Sequence, residues 1–120
     1  VAAYGGALLT GFYAALDRQD WAAATALLTA DVRWHVLGND QVDAVSVVGR
    51  EAVGRWLARA LGEFEAIEQT LTAVHDEGTA AAVFTATVLT RGGLRQTSAW
   101  LDSFRFEEGL IAEHVSLQIG

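Results

Sequence analysis

Trp100-Leu101-Asp102-Ser103-Phe104-Arg105-Phe106, followed by Glu107-Glu108-Gly109 and then Leu110 to Ile119, is the stretch on which the reading of this chain turns. Side chains alternate faces along a strand, so Trp100, Asp102, Phe104 and Phe106 share one side and Leu101, Ser103 and Arg105 the other. One carboxylate therefore stands in a row of aromatics. Glu107-Glu108-Gly109 reads as a three-residue hairpin loop with Gly109 in the left-handed position. That loop sets Phe106 against Leu110, Phe104 against Ala112, Asp102 against His114 and Trp100 against Ser116. A two-residue turn would oppose Asp102 to Val115 and Phe104 to Glu113, a poorer match. The expected arrangement is an acid facing an imidazole inside an aromatic surface.

The rest of the final strand splits in the same way. Ser116 and Gln118 continue the face of His114, whereas Val115, Leu117 and Ile119 make an apolar row behind it. The reverse assignment would put that apolar row in the core and turn Asp102 to solvent. The aromatics on Asp102's side favour the first arrangement. It leaves an apolar outer face for which the simplest cover is a second copy of the chain.

Working back from this hairpin, runs with strand character cover Ala66 to His75, Ala80 to Thr90 and Leu94 to Phe106. Asp76-Glu77-Gly78 and Arg91-Gly92-Gly93 separate them as hairpin-type turns. Before the meander, Arg50 to about Phe64 has helical spacing, with Val53, Trp56, Leu57, Ala60, Leu61 and Phe64 on its buried face. Glu51–Arg55 and Arg59–Glu63 have the spacing of wet-side pairs. Earlier still, Val32 to Leu37 reads as a strand and Gly38 to Val45 as a loop or ragged hairpin. Two helices open the chain. The first repeats Tyr4, Ala7, Leu8, Gly11, Phe12, Ala15 and Leu16, and the second is capped by Asp20 and runs from Trp21 to about Leu28. The order predicts one α+β domain over 1–120, with three N-terminal helices on one face of a curved antiparallel sheet.

The 120 residues suffice for one domain with a real core, and 52% are hydrophobic, which excludes a disordered chain. The net charge is −7, every basic residue is Arg, and no basic stripe exists, so nucleic acid is not an expected partner. Without Cys there are no disulfides, thiolate metal sites or thiol nucleophile. No apolar run approaches a membrane span, and the first residues do not read as a signal peptide. A cytoplasmic protein with no membrane partner is expected. The three His (His35, His75, His114) lack the spacing of a metal site, and neither metal nor cofactor is expected.

The element order resembles the nuclear transport factor 2-like superfamily, in particular its SnoaL-like, ketosteroid isomerase-like branch. The residues carrying the resemblance are Phe12-Tyr13-Ala14-Ala15-Leu16 with Asp20-Trp21, Asp31-Val32-Arg33-Trp34-His35-Val36, Val48-Gly49-Arg50-Glu51-Ala52-Val53, and Phe104-Arg105-Phe106-Glu107-Glu108-Gly109-Leu110-Ile111-Ala112-Glu113-His114. The resemblance implies a cone-shaped fold, a pocket between helices and concave sheet, and often a dimer through the convex face. It places Asp102 where ketosteroid isomerases carry a protonated aspartic acid in the oxyanion hole. The helix-one tyrosine of those enzymes falls at Phe12, with Tyr13 one residue along, and their general-base aspartate falls near Val36, beside His35. SnoaL-like polyketide cyclases usually continue Glu-His with Trp-Asp, where Val115-Ser116 stands here.

The expected function is acid/base, proton-transfer chemistry on an apolar, ring-bearing substrate with a carbonyl, of isomerase or cyclase type. Asp102 would donate to the developing oxyanion, with His114 or His35 as base. Trp34 and Val36 lie opposite His35, and only one of the two sets can face inward. Substrate contacts are expected from Trp100, Phe104, Trp56, Trp34, Phe12, Tyr13, Ser116 and Gln118. The alternatives are an epoxide hydrolase or dehydratase, and a non-catalytic binder of hydrophobic metabolites.

Overall fold

The computed structural model describes residues 2–120 and the side chains of 6–72 and 75–120. Two helices, α1 (Ala2–Asp17) and α2 (Trp21–Thr25), precede the hairpin β1 (Leu28–Val36) and β2 (Val45–Val48). Helix α3 (Arg50–Leu61) leads to β3 (Ala66–Asp76), β4 (Ala80–Arg91), β5 (Leu94–Glu107) and β6 (Leu110–Gln118). The six strands form one sheet in the order β2-β1-β6-β5-β4-β3, so the last four strands are a meander as the turn signals predict. The sheet is mixed: β1 runs parallel to β6, and every other pairing is antiparallel. This is an α+β fold.

Local chemistry accounts for the elements. Asp20 caps α2 by accepting from the Ala23 amide at 3.1 Å. That helix ends at Thr25, and the strand begins at Leu28 rather than Val32, because Leu28 and Val32 both bury completely against the core. Helix α3 stops at Leu61 and buries Val53 and Leu57, while Ala60 is exposed. Glu63 reaches Arg91 at 3.0 Å instead of Arg59. Gly54 lets α2 approach α3, since a Cβ there would sit 2.7 Å from Thr25 Cγ2.

Two differences from the sequence reading reposition side chains. The buried stripe of α1 is Leu9, Phe12, Tyr13 and Leu16, with Ala15, while Ala7 and Gly11 face solvent. Tyr4, the first member of the expected stripe, lies outside the described side chains. The second difference is the β5–β6 turn, a two-residue loop with both Glu108 (φ 51°) and Gly109 (φ 77°) left-handed. A bulge then sets Phe106 opposite Ile111 but Arg105 opposite Glu113. Ala112 is the extra residue, and both it and Ile111 are buried. The bulge restores the expected facing but moves each pair along: Phe104 opposes His114, Asp102 opposes Ser116, and Trp100 opposes Gln118.

Candidate active site

Rows of side chains crossing the inner face of the sheet build the site. One row runs Ala81, Phe104, His114, Trp34 and Val47 across five strands. The next runs Val83, Asp102, Ser116 and Val36, and the next Leu71, Thr85, Trp100 and Gln118. Helix α1 lies over them, with Phe12 5.7 Å from Trp34 and Tyr13 6.2 Å from Phe104 between ring centres. Trp56, Leu57 and Leu61 of α3 complete a cavity of about 230 Å³. Its lining is mostly apolar, as in sites for small organic ligands.

Asp102 is 4% exposed and is the focus of the polar groups. The Tyr13 hydroxyl donates to its Oδ2 at 2.5 Å, Thr85 to the same oxygen at 3.3 Å, and Ser116 to Oδ1 at 2.7 Å. Three hydroxyl donors on one carboxyl group satisfy it as a carboxylate. Burial pushes the Tyr13 phenol well above its usual 10.0, and the Asp102 charge and hydrogen bond push the same way.

His114 stands between Trp34 and Phe104, with ring centres 4.1 and 4.5 Å away. Its Nε2 is 3.9 Å from Asp102 Oδ1, too long for a hydrogen bond, and its Nδ1 is buried without a partner. Burial lowers its imidazole to about 4, against the opposing pull of Asp102 and of the Ser103 backbone. The ring is therefore neutral at pH 7.

The structure brings together Asp102, His114, Tyr13, Ser116, Phe12, Trp34, Trp56 and Trp100 around one cavity. It does not bring in His35. Trp34 takes the inward position on β1, so His35 lies on the opposite face, its Nδ1 2.8 Å from Ser46 Oγ and its Nε2 3.9 Å from Glu113. Phe104 packs behind His114 rather than in the cavity wall, and Gln118 turns its amide to the Gly120 carbonyl at 3.2 Å. The sequence reading missed Thr85, Thr87 and Gln69, which line the cavity. The signal for Thr85 and Thr87 was a polar pair at alternate positions between Phe84, Ala86 and Val88, whereas Gln69, between Ile67 and Leu71 on its face, had only its own polarity. Among the described residues, no group of three or more His, Cys, Asp or Glu is placed to hold a metal ion. Nor is any helix of the described residues long and apolar enough to cross a membrane.

Comparison with known proteins places this geometry. Bal32a, from a soil-derived mobile gene cassette, superposes with a TM-score of 0.81 at 23% identity, over 96% of this chain and 88% of that one. A Catenulispora acidiphila protein with a ketosteroid isomerase-like fold, solved with trimethylamine, gives 0.79 at 18% identity, over 91% and 82%. An LEH-like epoxide hydrolase of M. tuberculosis gives 0.76 at 20%, over 93% and 80%. At these identities the likeness is one of fold. No curated protein matches the chain. The sequence signature of the SnoaL-like domain, however, matches residues 9–114, and the chain belongs to that family.

Proposed function

We propose that this protein is an enzyme that moves a proton on a compact, apolar, ring-bearing substrate with a carbonyl group, in an isomerase or cyclase type of reaction. The observation that carries this reading is the 2.5 Å hydrogen bond from Tyr13 to Asp102 in the wall of a mostly apolar cavity. A substrate carbonyl docked at the Tyr13 hydroxyl competes with Asp102 for that donor. As the phenol turns to the carbonyl oxygen, the carboxylate gives up one hydrogen bond and becomes the better base. It then takes a proton from the carbon next to the carbonyl, the electron pair moves to oxygen, and Tyr13 stabilises the enolate. Return of the proton from Asp102 to a different carbon completes an isomerisation. The hydrogen-bond directions thus favour Asp102 as base and Tyr13 as donor, whereas the sequence suggests Asp102 as donor and His114 or His35 as base. Neutral His114 adds a polar edge beside the carboxylate without a competing positive charge.

The test is the conversion of 3-cyclohexenone to its conjugated isomer, together with deuterium uptake next to the carbonyl of cyclohexanone and 2-tetralone. Catalysis by the wild type that is lost in Asp102→Asn supports the reading. Equal rates with and without either protein, across all three ketones, would sink it.

We also propose that the outer sheet face carries a second copy of the chain. Phe84, Leu101 and Leu117 oppose one another in register across β4, β5 and β6. Phe84 is 44% exposed, Ile119 52% and Leu37 45%, which leaves an apolar surface facing water. Leu101 pairs with Leu117 rather than with Val115, which opposes Ser103.

A further inference from the structure

The cavity has a second polar place that the proton-transfer chemistry does not use. Gln69, Thr87 and Ser98 oppose one another across β3, β4 and β5, and all three line the cavity. Ser98 lies four positions from Asp102 along β5, a separation of about 13 Å at the rise of an extended strand. Trp100 and Thr85 occupy the row between. The two polar places therefore lie apart along one cavity wall, with the Trp100 ring in the row that separates them.

Its members are poised for a ligand. Gln69 Oε1 is buried with no hydrogen-bond partner, and such an acceptor is costly unless a donor reaches it. Thr87 is 6% exposed and lines the cavity, which brings a further hydroxyl to the row. Ser98 Oγ accepts from Trp100 Nε1 at 2.8 Å, which leaves the serine proton to be donated. The charge nearby is negative: Asp17 Oδ2 accepts from the Gln69 backbone amide at 3.3 Å. Among the described residues, no Arg lines the cavity. An anionic group would be repelled here, and a neutral hydroxyl, which both donates and accepts, fits the set.

We propose that Gln69, Thr87 and Ser98 form a second subsite that holds an uncharged hydroxyl at the far end of the substrate, opposite the group held at Tyr13 and Asp102. This rests on the reading of the Asp102 end as the reacting end, and it narrows the substrate class to ring compounds oxygenated at both ends. The volume agrees. A cavity of roughly 150 Å³ takes benzene, so about 230 Å³ suits one or two fused rings.

The experiment uses two rigid probes, 2-naphthol and 2,6-dihydroxynaphthalene, titrated by fluorescence and calorimetry into wild type, Gln69→Leu, Thr87→Val and Asp102→Asn. The readout is the affinity ratio of the diol to the mono-ol in each protein. In the wild type the second hydroxyl should strengthen binding about tenfold, the value of one well-made hydrogen bond. The gain should shrink to about twofold or less in Gln69→Leu and Thr87→Val, and persist in Asp102→Asn. The near-isosteric Thr87→Val decides the matter if the Leu variant fails to fold. No gain in the wild type, or the same gain in all four proteins, overturns the subsite. Failure of the Asp102 reading looks different: the ionisation of bound 2-naphthol would then be equal in wild type and Asp102→Asn, whatever the diol does. If neither probe binds any of the proteins, both readings fall.

Discussion

The Tyr13 hydroxyl and the Asp102 carboxylate lie 89 positions apart in the chain and meet at 2.5 Å, both nearly buried in the cavity wall. Tyr13→Phe removes a hydrogen bond to a buried charge, and the expected loss of stability is about 1–3 kcal/mol in urea unfolding. The same contact predicts an alkaline effect. The folded phenol holds its proton above the usual 10.0, whereas the unfolded one releases it there. Stability from this group is therefore complete below pH 10 and falls as pH rises toward the folded value. Melting temperatures between pH 9 and 11.5 should drop more steeply for wild type than for Tyr13→Phe. Parallel curves would show that the phenol is not held as described.

Asp102 itself separates charge from shape. Asp102→Asn keeps an acceptor for Tyr13 and should fold, while losing on the order of 10²–10⁴ in any proton-transfer rate. From sequence alone, Asp102→Leu would be neutral or stabilising, since it removes a lone buried polar group. The three hydroxyls that donate to Asp102 change that expectation. Leucine strands all three donors, and a loss of about 2–4 kcal/mol is expected by chemical denaturation. A variant as stable as wild type would mean that the hydroxyls find other partners.

His114 gives the acid side. Its folded value of about 4 lies below the ordinary 6.5, so the unfolded chain takes up a proton first as pH falls. The stabilising contribution is complete above about pH 6.5 and is lost through about pH 4, a change on the order of 3 kcal/mol. His114→Gln should flatten that part of the stability curve. In NMR, the His114 ring resonances should stay unshifted from pH 8 to 5.5. A midpoint near 6.5 would contradict a buried neutral ring.

The outer face makes a prediction about assembly. Leu101→Arg and Leu117→Glu place charges in the centre of the apolar row. Either should convert a wild-type dimer to monomer in sedimentation at micromolar concentration, with folding intact by circular dichroism. A monomeric wild type would refute the proposed contact.

The tight β5–β6 turn offers a stabilising change. Glu108 is left-handed at φ 51°, where asparagine is at ease and glutamate is not. Glu108→Asn should raise stability by about 0.5–1 kcal/mol in thermal or urea unfolding.

Much of this molecule can be read before folding, for identifiable reasons. The meander was legible because Gly-containing turns punctuate strands of steady alternation. Asp102 and His114 were legible as polar residues on an otherwise apolar face. Tyr13 was legible as a substrate contact but not as part of the buried stripe, because α1 is rich in Ala and Gly and leaves the phase of that stripe undefined. A step of one residue brings Tyr13 inward, where its ring packs on Phe104. The bulge at Ala112 left only a faint trace, the unbroken apolar run Leu110-Ile111-Ala112 where strict alternation would interleave polar residues. The parallel β1–β6 pairing had no local signal at all, since nothing in either strand names its partner.

That parallel pairing has a consequence for how the protein comes into being. It sets Trp34 beside His114 and Val36 beside Ser116, while α1 supplies Tyr13 from the opposite end of the chain. Closing loops of this length is entropically slow, and contacts so distant in sequence form late. During synthesis the pocket cannot exist until β6 has left the ribosome. An N-terminal fragment ending before residue 110 lacks both the central strand β6 and the second wall of the site. The ability to bind a ligand should therefore arrive in one step with β6, and report directly on closure of this sheet.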